Sequence, residues 1–291
     1  MPGPDAAPVP LWRRARLADG PAIQAYLIER ESHAAGIAGR IRRESGLAGL
    51  PIRPGGIFVS GSPAIEGFCL FTAGATVFPL AAEPAVSASF GGLRRSRTIR
   101  ALKPSSCVGL DHQVSALEEA LSWSPAIQNR YSIMALEASD YRPKRGPRGA
   151  YLSCRATVED LEELSVLAGL YDREEVLTYL HSYDAAASKA GQLRSLKTQI
   201  VYLIRWQGRV VGRAQTNARA WTRDQLGGIY VLPEFRGLGI GRLVVQALIE
   251  DRLAEGRGLS LFVKESNAPA LGLYRSLGFK DEGSYRVDYF A

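Results

Sequence analysis

One stretch of the chain stands out for its chemistry: Ile229-Tyr-Val-Leu-Pro-Glu-Phe-Arg236-Gly237-Leu-Gly239-Ile-Gly241-Arg242. An apolar run ends at Pro233, a short turn follows, and glycines then alternate up to the start of an amphipathic pattern, Ile240, Leu243, Val244, Ala247 and Leu248. Glycine lets a backbone approach a ligand closely and take positive φ. The first amides of a helix have no intrahelical partner and sit at the positive end of its dipole, so a glycine loop feeding a helix is an anion cradle. Arg236 and Arg242 add charge beside it. No Gly-Lys-Ser/Thr follows, so this is not a Walker A loop, and the Gly-x-Gly-x-Gly spacing is not the dinucleotide fingerprint. A tight strand-to-helix connection with no ligand is the plain alternative.

A second segment narrows the choice. Leu261-Phe-Val-Lys-Glu-Ser-Asn267 reads as a strand end, and Ala270-Leu-Gly-Leu-Tyr274-Arg-Ser-Leu-Gly278-Phe279 as a helix, a glycine stop and an aromatic. The Arg-x-x-Gly-x-Gly loop at Arg236, Gly239 and Gly241, followed at this distance by Asn267, Leu273, Tyr274, Gly278 and Phe279, resembles the GNAT superfamily of acyl-coenzyme A-dependent N-acyltransferases over about residues 151–291.

The resemblance implies attack of an amine on the thioester of acetyl-coenzyme A. The cofactor pyrophosphate would lie on the amides of Arg236, Gly237, Leu238, Gly239, Ile240, Gly241 and Arg242. The peptide-like pantetheine arm would run along Val231 and Leu232, as an added strand does, between two parallel strands, 226–232 and 259–264, that the family splays apart. The Val231 amide would polarise the thioester carbonyl. Tyr274 would be the general acid that protonates the leaving thiolate. Asn267 would bind the cofactor arm, act as a helix N-cap, or do both. The family often places a Glu near the start of the central strand as base. Here that stretch is Trp221-Thr-Arg-Asp224-Gln225-Leu226-Gly-Gly, which leaves Asp224 as the candidate. Glu234 lies in the turn before the loop and reads as solvated. Gly227-Gly228 either clears space for a ligand or marks a bulge.

These residues need elements to hold them. Tyr151–Ala156 reads as a strand, and Thr157-Val-Glu-Asp160 as a capping-box start to a helix with Leu161, Leu164, Val166 and Leu167 on its apolar face. Arg173–Ala187 reads as a second helix. Gln199–Trp206, Gln207-Gly208 and Arg209–Thr216 read as a hairpin. Strands at 226–232 and 259–264 flank a helix from Ile240 to Ala254. A short helix at 268–276 follows, then a pair of strands over 279–290. The order is β-α-α-β-β-β-α-β-α-β-β.

The chain has 291 residues, 46% apolar and 22% charged, which is globular composition and long enough for two domains. The net charge is +7. Most of the surplus falls in residues 1–150, with 18 Lys+Arg against 12 Asp+Glu. It clusters at Arg94–Arg100 and in the Pro/Gly-rich stretch 142–149. A basic run of this kind can meet nucleic acid, but no aromatic-rich face accompanies it, and nucleic acid is not an expected partner. Cys69, Cys107 and Cys154 are odd in number, far apart and without Cys or His at ligand spacing. That argues against a disulfide framework and a metal site, and fits a reducing compartment. His33, His112 and His181 are isolated. Residues 1–10 lack the apolar run of a signal peptide and no window spans a bilayer, so a cytoplasmic protein off the membrane is expected.

The expected fold class is α/β, with tandem domains that each carry a mixed, mostly antiparallel sheet flanked by helices. The expected divisions are a disordered 1–10, a first domain over 11–139, a linker at 140–149 and a catalytic domain over 150–291. Residues 14–44 read as helical with a break at Gly36–Gly39. Strands are expected at Ile57–Val59, Gly67–Phe71, Thr76–Leu80 and Ser132–Glu137, with a helix over 114–123. The glycine and apolar spacing of this half resembles the uncharacterised domain that precedes a GNAT domain in some bacterial proteins, itself similar to a degenerate copy of the same fold. The resemblance implies one competent cofactor site, an amine acceptor, and a monomer or homodimer. A non-catalytic acyl-coenzyme A-binding module is the rival reading.

Overall fold

The computed structural model describes residues 11–43, 56–61, 64–81, 89–146 and 149–291. The expected disordered stretch 1–10 lies outside them. The chain divides into two compact units, Met1–Ser132 with Gly283–Ala291, and Ile133–Glu282. The sequence reading put the division at 140–149 and kept the C-terminus with the second half. Two long strands account for the difference. β6 (Ile127–Leu136) and β12 (Lys280–Tyr289) are each one continuous strand whose residues divide between the units. The expected pair of strands over 279–290 is therefore a single strand.

In the first unit, β1 (Arg13–Arg14), β2 (Gly56–Ser60), β3 (Gly67–Phe71) and β4 (Thr76–Ala81) pair antiparallel in order, β4 runs parallel to β5 (Ser106–Leu110), and β5 pairs antiparallel with Tyr285–Tyr289 of β12. Helices α1 (Gly20–Ile28), α2 (Glu31–Arg43), α3 (Arg97–Arg100) and α4 (Asp111–Leu121) complete it. The helical break falls at Glu29-Arg30, and α2 runs unbroken through Gly36 and Gly39. Ala34, Ala35, Ala38 and Gly39 are buried on its inner face: packing overrides the weak glycine propensity. Phe71, Phe90, Leu93, Ile99 and Leu117 fill the core.

The second unit is a sheet in the order β6, β11 (Gly258–Lys264), β10 (Arg223–Val231), β9 (Arg209–Arg219), β8 (Val201–Trp206), β7 (Tyr151–Arg155). β7 to β10 pair antiparallel and β10 with β11 parallel. Gln207 and Gly208 both take positive φ, 48° and 83°, as the β8–β9 two-residue turn requires. One face of β9 meets α7 (Ile240–Ala254), since a Cβ on Gly212 would touch Ile240. Alternation turns Arg213 and Gln215 to the other face, under α5 (Leu161–Tyr171) and α6 (Ala185–Thr198). The expected helix over 173–187 is absent: α5 ends in a π turn, Asp172–Val176, and α6 starts only at Ala185, where Asp184 Oδ1 accepts from the amides of Ala186 and Ala187. The expected linker instead lies against α7. Gln246 holds both backbone groups of Lys144, and the Tyr141 hydroxyl bonds Glu250 at 2.8 Å.

Candidate functional site

The site forms where β10 and β11 part. Their parallel register holds for Arg223↔Gly258, Asp224↔Leu259 and Gln225↔Ser260, and no further pairs follow, although β10 runs on to Val231 and β11 to Lys264. The cause lies on the other edge of β10. Between the pairs Gly227↔Gln215 and Tyr230↔Arg213, two residues of β10, Gly228 and Ile229, oppose the single Ala214 of β9. That is a β-bulge, which bends a strand and raises its twist. Past it, the Leu232 amide donates to Val211 of β9 at 3.0 Å. Successive amides point to opposite edges, so the Val231 amide points into the gap towards β11.

Gly227 is the last paired residue before the bulge and Gly228 its first residue, and the space beside both is already taken by the chain itself. A Cβ on Gly227 would lie within 3.0 Å of the Asn217 amide group, and one on Gly228 would lie 2.6 Å from the Arg213 guanidinium.

Beyond Leu232, Pro233–Phe235 form one 3₁₀ turn and the glycine loop begins. Gly237 and Gly239 take φ of 77° and 81°, which an L side chain adopts at a cost of about 1–2 kcal/mol. Gly239 is the N-cap of α7 and no side chain caps it. The amides of Ile240, Gly241 and Arg242 thus have no intrahelical acceptor. A Cβ on Gly241 would lie 3.7 Å from the Val231 side chain, at ordinary contact distance. Leu238 is exposed and Ile240 buried, so the loop turns its backbone outwards while Ile240 anchors it in the core. Free helix-end amides of this kind suit an anion such as a phosphate group, and the unpaired strand edge beside them suits an extended amide chain.

Arg236 donates from Nε to the Val231 carbonyl at 3.1 Å and from its terminal nitrogen to Glu174 at 2.7 Å. Glu174 also accepts from the Tyr230 hydroxyl at 2.5 Å. These two donors, Tyr230 first, hold the Glu174 carboxyl below its ordinary range, while burial pushes the Tyr230 phenol up to about 12. Its neighbour Glu175 pairs with Lys264 at the end of β11, at 3.0 Å. Sequence reasoning missed both acids. They sit in the π turn after α5, far along the chain from the loop, and no local pattern marks them.

Asn267 caps α8 (Ala268–Ser276), its Oδ1 accepting from the Ala270 amide at 3.2 Å. Tyr274 on α8 is 5% exposed, and its ring packs edge-on against Phe279 at 5.7 Å. Among the described residues its hydroxyl has no hydrogen-bond partner. Burial, with Tyr171 and Glu175 nearby, pushes the phenol well above its usual range. A buried, protonated phenol can give a proton to a developing thiolate.

Asp224 is not part of this arrangement. It lies at the paired end of β10, seven residues before Val231, or about 20 Å along a strand. It is fully buried, bonded to Arg257 at 3.1 Å with Arg252 at 3.6 Å. A carboxylate enclosed by two arginines and closed off from solvent is out of reach of an incoming amine. Glu234 is exposed and paired with Arg209. Among the described residues no three His, Cys, Asp or Glu groups gather as a metal site, and no helix is long and apolar enough to cross a membrane.

The model of the acetyltransferase (GNAT) family matches residues 164–279, which hold the bulge, the loop, Asn267 and Tyr274. The [ribosomal protein bS18]-alanine N-acetyltransferase of Escherichia coli strain K12 is 30% identical over 137 residues, covering 46% of this chain and 86% of that protein. The peptidyl-lysine N-acetyltransferase YjaB of Salmonella typhimurium is 36% identical over 67 residues, so the chain spans 43% of that relative's length. The solved tandem GNAT protein from the clavulanic acid biosynthesis pathway shares the fold at a TM-score of 0.59 and 13% identity, covering 96% of this chain and 97% of that one. Loop, splayed strands and relatives agree, and the chain belongs to the GNAT acetyltransferase family.

Proposed function

We propose that the second unit binds acetyl-coenzyme A and moves its acetyl group to a primary amine of a protein or small molecule. The observation that carries this is the meeting, at one strand end, of an outward-pointing Val231 amide and an uncapped helix N-terminus fed by Gly237 and Gly239. When bound, acetyl-coenzyme A supplies the thioester. Arg236, the backbone from Gly237 to Gly241, and Arg242 hold its pyrophosphate. Val231 and Leu232 carry the pantetheine arm, and the free amide nitrogen of Asn267 reaches it while Oδ1 stays in the cap. The Val231 amide stabilises charge developing on the thioester oxygen, and Tyr274 gives its proton to the departing sulfur. Glu174, held anionic by Tyr230 and Arg236, takes the place that Asp224 was expected to fill: it docks the acceptor's ammonium group and relays a proton from it to water, so that the neutral amine attacks.

The acceptor reading follows the relatives' names, one for a peptidyl lysine and one for an alanine of a ribosomal protein. The first unit, which we read as a degenerate copy of the same fold, adds no second glycine loop of this kind, so one competent site is expected. The test is thiol release from acetyl-coenzyme A in the presence of a peptide with an N-terminal alanine or one with an internal lysine. Release that depends on the peptide, with acetyl found on its amine, supports the reading. A second reading, an acyl-coenzyme A-binding module without turnover, is favoured by the engagement of Asp224 in ion pairs. Tight binding with no thiol release for any amine would establish it instead.

A further inference from the structure

Arg213 on β9 is 3% exposed, and among the described residues no carboxylate lies within 4 Å of it. Burying a cation without a counter-ion costs several kcal/mol. Desolvation lowers its pKa to about 10, with Tyr171 and Asp172 opposing only from a distance. The three hydrogen bonds of its guanidinium all go to neutral oxygens: Nε donates to the Gly228 carbonyl at 3.0 Å, one terminal nitrogen to Gln192 of α6 at 2.6 Å, and the other to Gln215 at 3.0 Å. Gln215 in turn donates to Asn217, whose amide fills the space that Gly227 leaves empty. The Gly228 carbonyl belongs to the residue that the bulge removes from the ladder. Nothing about the fold of the sheet needs an ion here; an apolar side chain would pack at lower cost.

Resting on the acyl-coenzyme A reading above, we propose that Arg213 is a positioning residue. Its planar fork holds the Gly228 carbonyl out of register, fixes the bulge, and so sets the aim of the Val231 amide, while tying that bulge to α6 on the acceptor side. Arginine suits the task because one rigid group reaches three separate oxygens, on β9, β10 and α6; lysine has no such fork. The phosphate cradle lies beyond the bulge and does not depend on the strut.

The test uses the full chain with Arg213→Met and Arg213→Lys, measuring kcat and KM with acetyl-coenzyme A and a peptide amine, the Kd of coenzyme A by calorimetry, and thermal unfolding. A misplaced reacting group costs on the order of 100-fold. The expected result for Arg213→Met is a loss of that size in kcat, with the Kd of coenzyme A changed less than about threefold, and Arg213→Lys, which keeps the charge but lacks the fork, loses nearly as much. A folded Arg213→Met with wild-type kcat overturns the proposal. So does a parallel fall in kcat, coenzyme A affinity and Tm, because that marks a merely structural role. If Arg213→Met does not fold, Gln192→Leu removes one of the three anchors. A severalfold lower kcat at unchanged coenzyme A affinity then supports the strut, and an unchanged kcat overturns it. Failure of the wild-type chain to bind coenzyme A at all would instead sink the acyl-coenzyme A reading, so the two failures are separable.

Discussion

Replacing Tyr274 by Phe isolates one oxygen. The ring is buried, rests on Phe279 and stays in place in the variant. Removing a hydroxyl that makes no hydrogen bond to the described residues costs little stability. The unfolding midpoint should therefore stay near the wild-type value. Chemistry should not. A positioned general acid contributes about 100- to 10,000-fold. The lower figure, about 2.7 kcal/mol of barrier, is the better expectation here, because a thiolate is a fair leaving group without help. Since burial holds the phenol protonated well past its usual range, Tyr274 puts no alkaline limb on the rate below pH 10. The assay is thiol release with a peptide amine from pH 6 to 9.5, beside calorimetric binding of coenzyme A. The reasoning predicts kcat lower by about 100-fold across that range, with coenzyme A bound as before. A variant that turns over at the wild-type rate, or that loses binding and stability together with rate, would refute it.

Three further outcomes follow from the geometry. Asp224→Asn keeps the shape but removes the charge between Arg257 and Arg252; it should cost about 3 kcal/mol in urea unfolding and leave kcat of the folded protein within about twofold, whereas a base would lose orders of magnitude. Glu174→Gln frees Arg236 for a phosphate, so coenzyme A should bind at least as tightly by calorimetry while KM for the amine rises severalfold. In the first unit, burial and the neighbouring Asp288 raise the Glu118 carboxyl to about 8. The folded chain thus keeps a proton that the unfolded chain releases above about 4.5, and the associated stability is full below that pH and drains away as pH climbs to 8, at no more than about 1.4 kcal/mol per unit. Glu118→Gln, which stays neutral, should flatten that slope in urea midpoints measured from pH 5 to 8.

What the sequence reveals about this site follows how local each interaction is. The loop from Arg236 to Arg242, the Asn267 cap and the β8–β9 turn depend on neighbours within a few residues, and their residue types show at once. The parting of β10 from β11 is expected only through the family resemblance, because the bulge beside it is contacted by Arg213 reaching across from another strand. For the same reason Gly227-Gly228 leaves open what fills the space, which is Asn217, Arg213 and Gln215. Asp224 reads as a base only until Arg252 and Arg257, about 30 residues on, are seen to enclose it. The turn with Glu174 and Glu175 hides inside a stretch whose composition suits a helix, and Asp184 as the cap of α6 is the local signal that corrects it. The ends of β12 fall in different units for a reason that no window of sequence displays: its last residues pair with β5.

The central claim is that the glycine loop and the strand gap of the second unit hold acetyl-coenzyme A. Native mass spectrometry of the full chain with acetyl-coenzyme A tests it most directly, with Gly241→Glu beside it. That substitution is in ordinary contact distance and suits a helix N-terminus, so the fold survives, yet it puts a carboxylate where the pyrophosphate should sit. One bound acetyl-coenzyme A on the wild-type chain and none on the variant is the predicted result. No binding to the wild-type chain, or equal binding to both, would contradict the account.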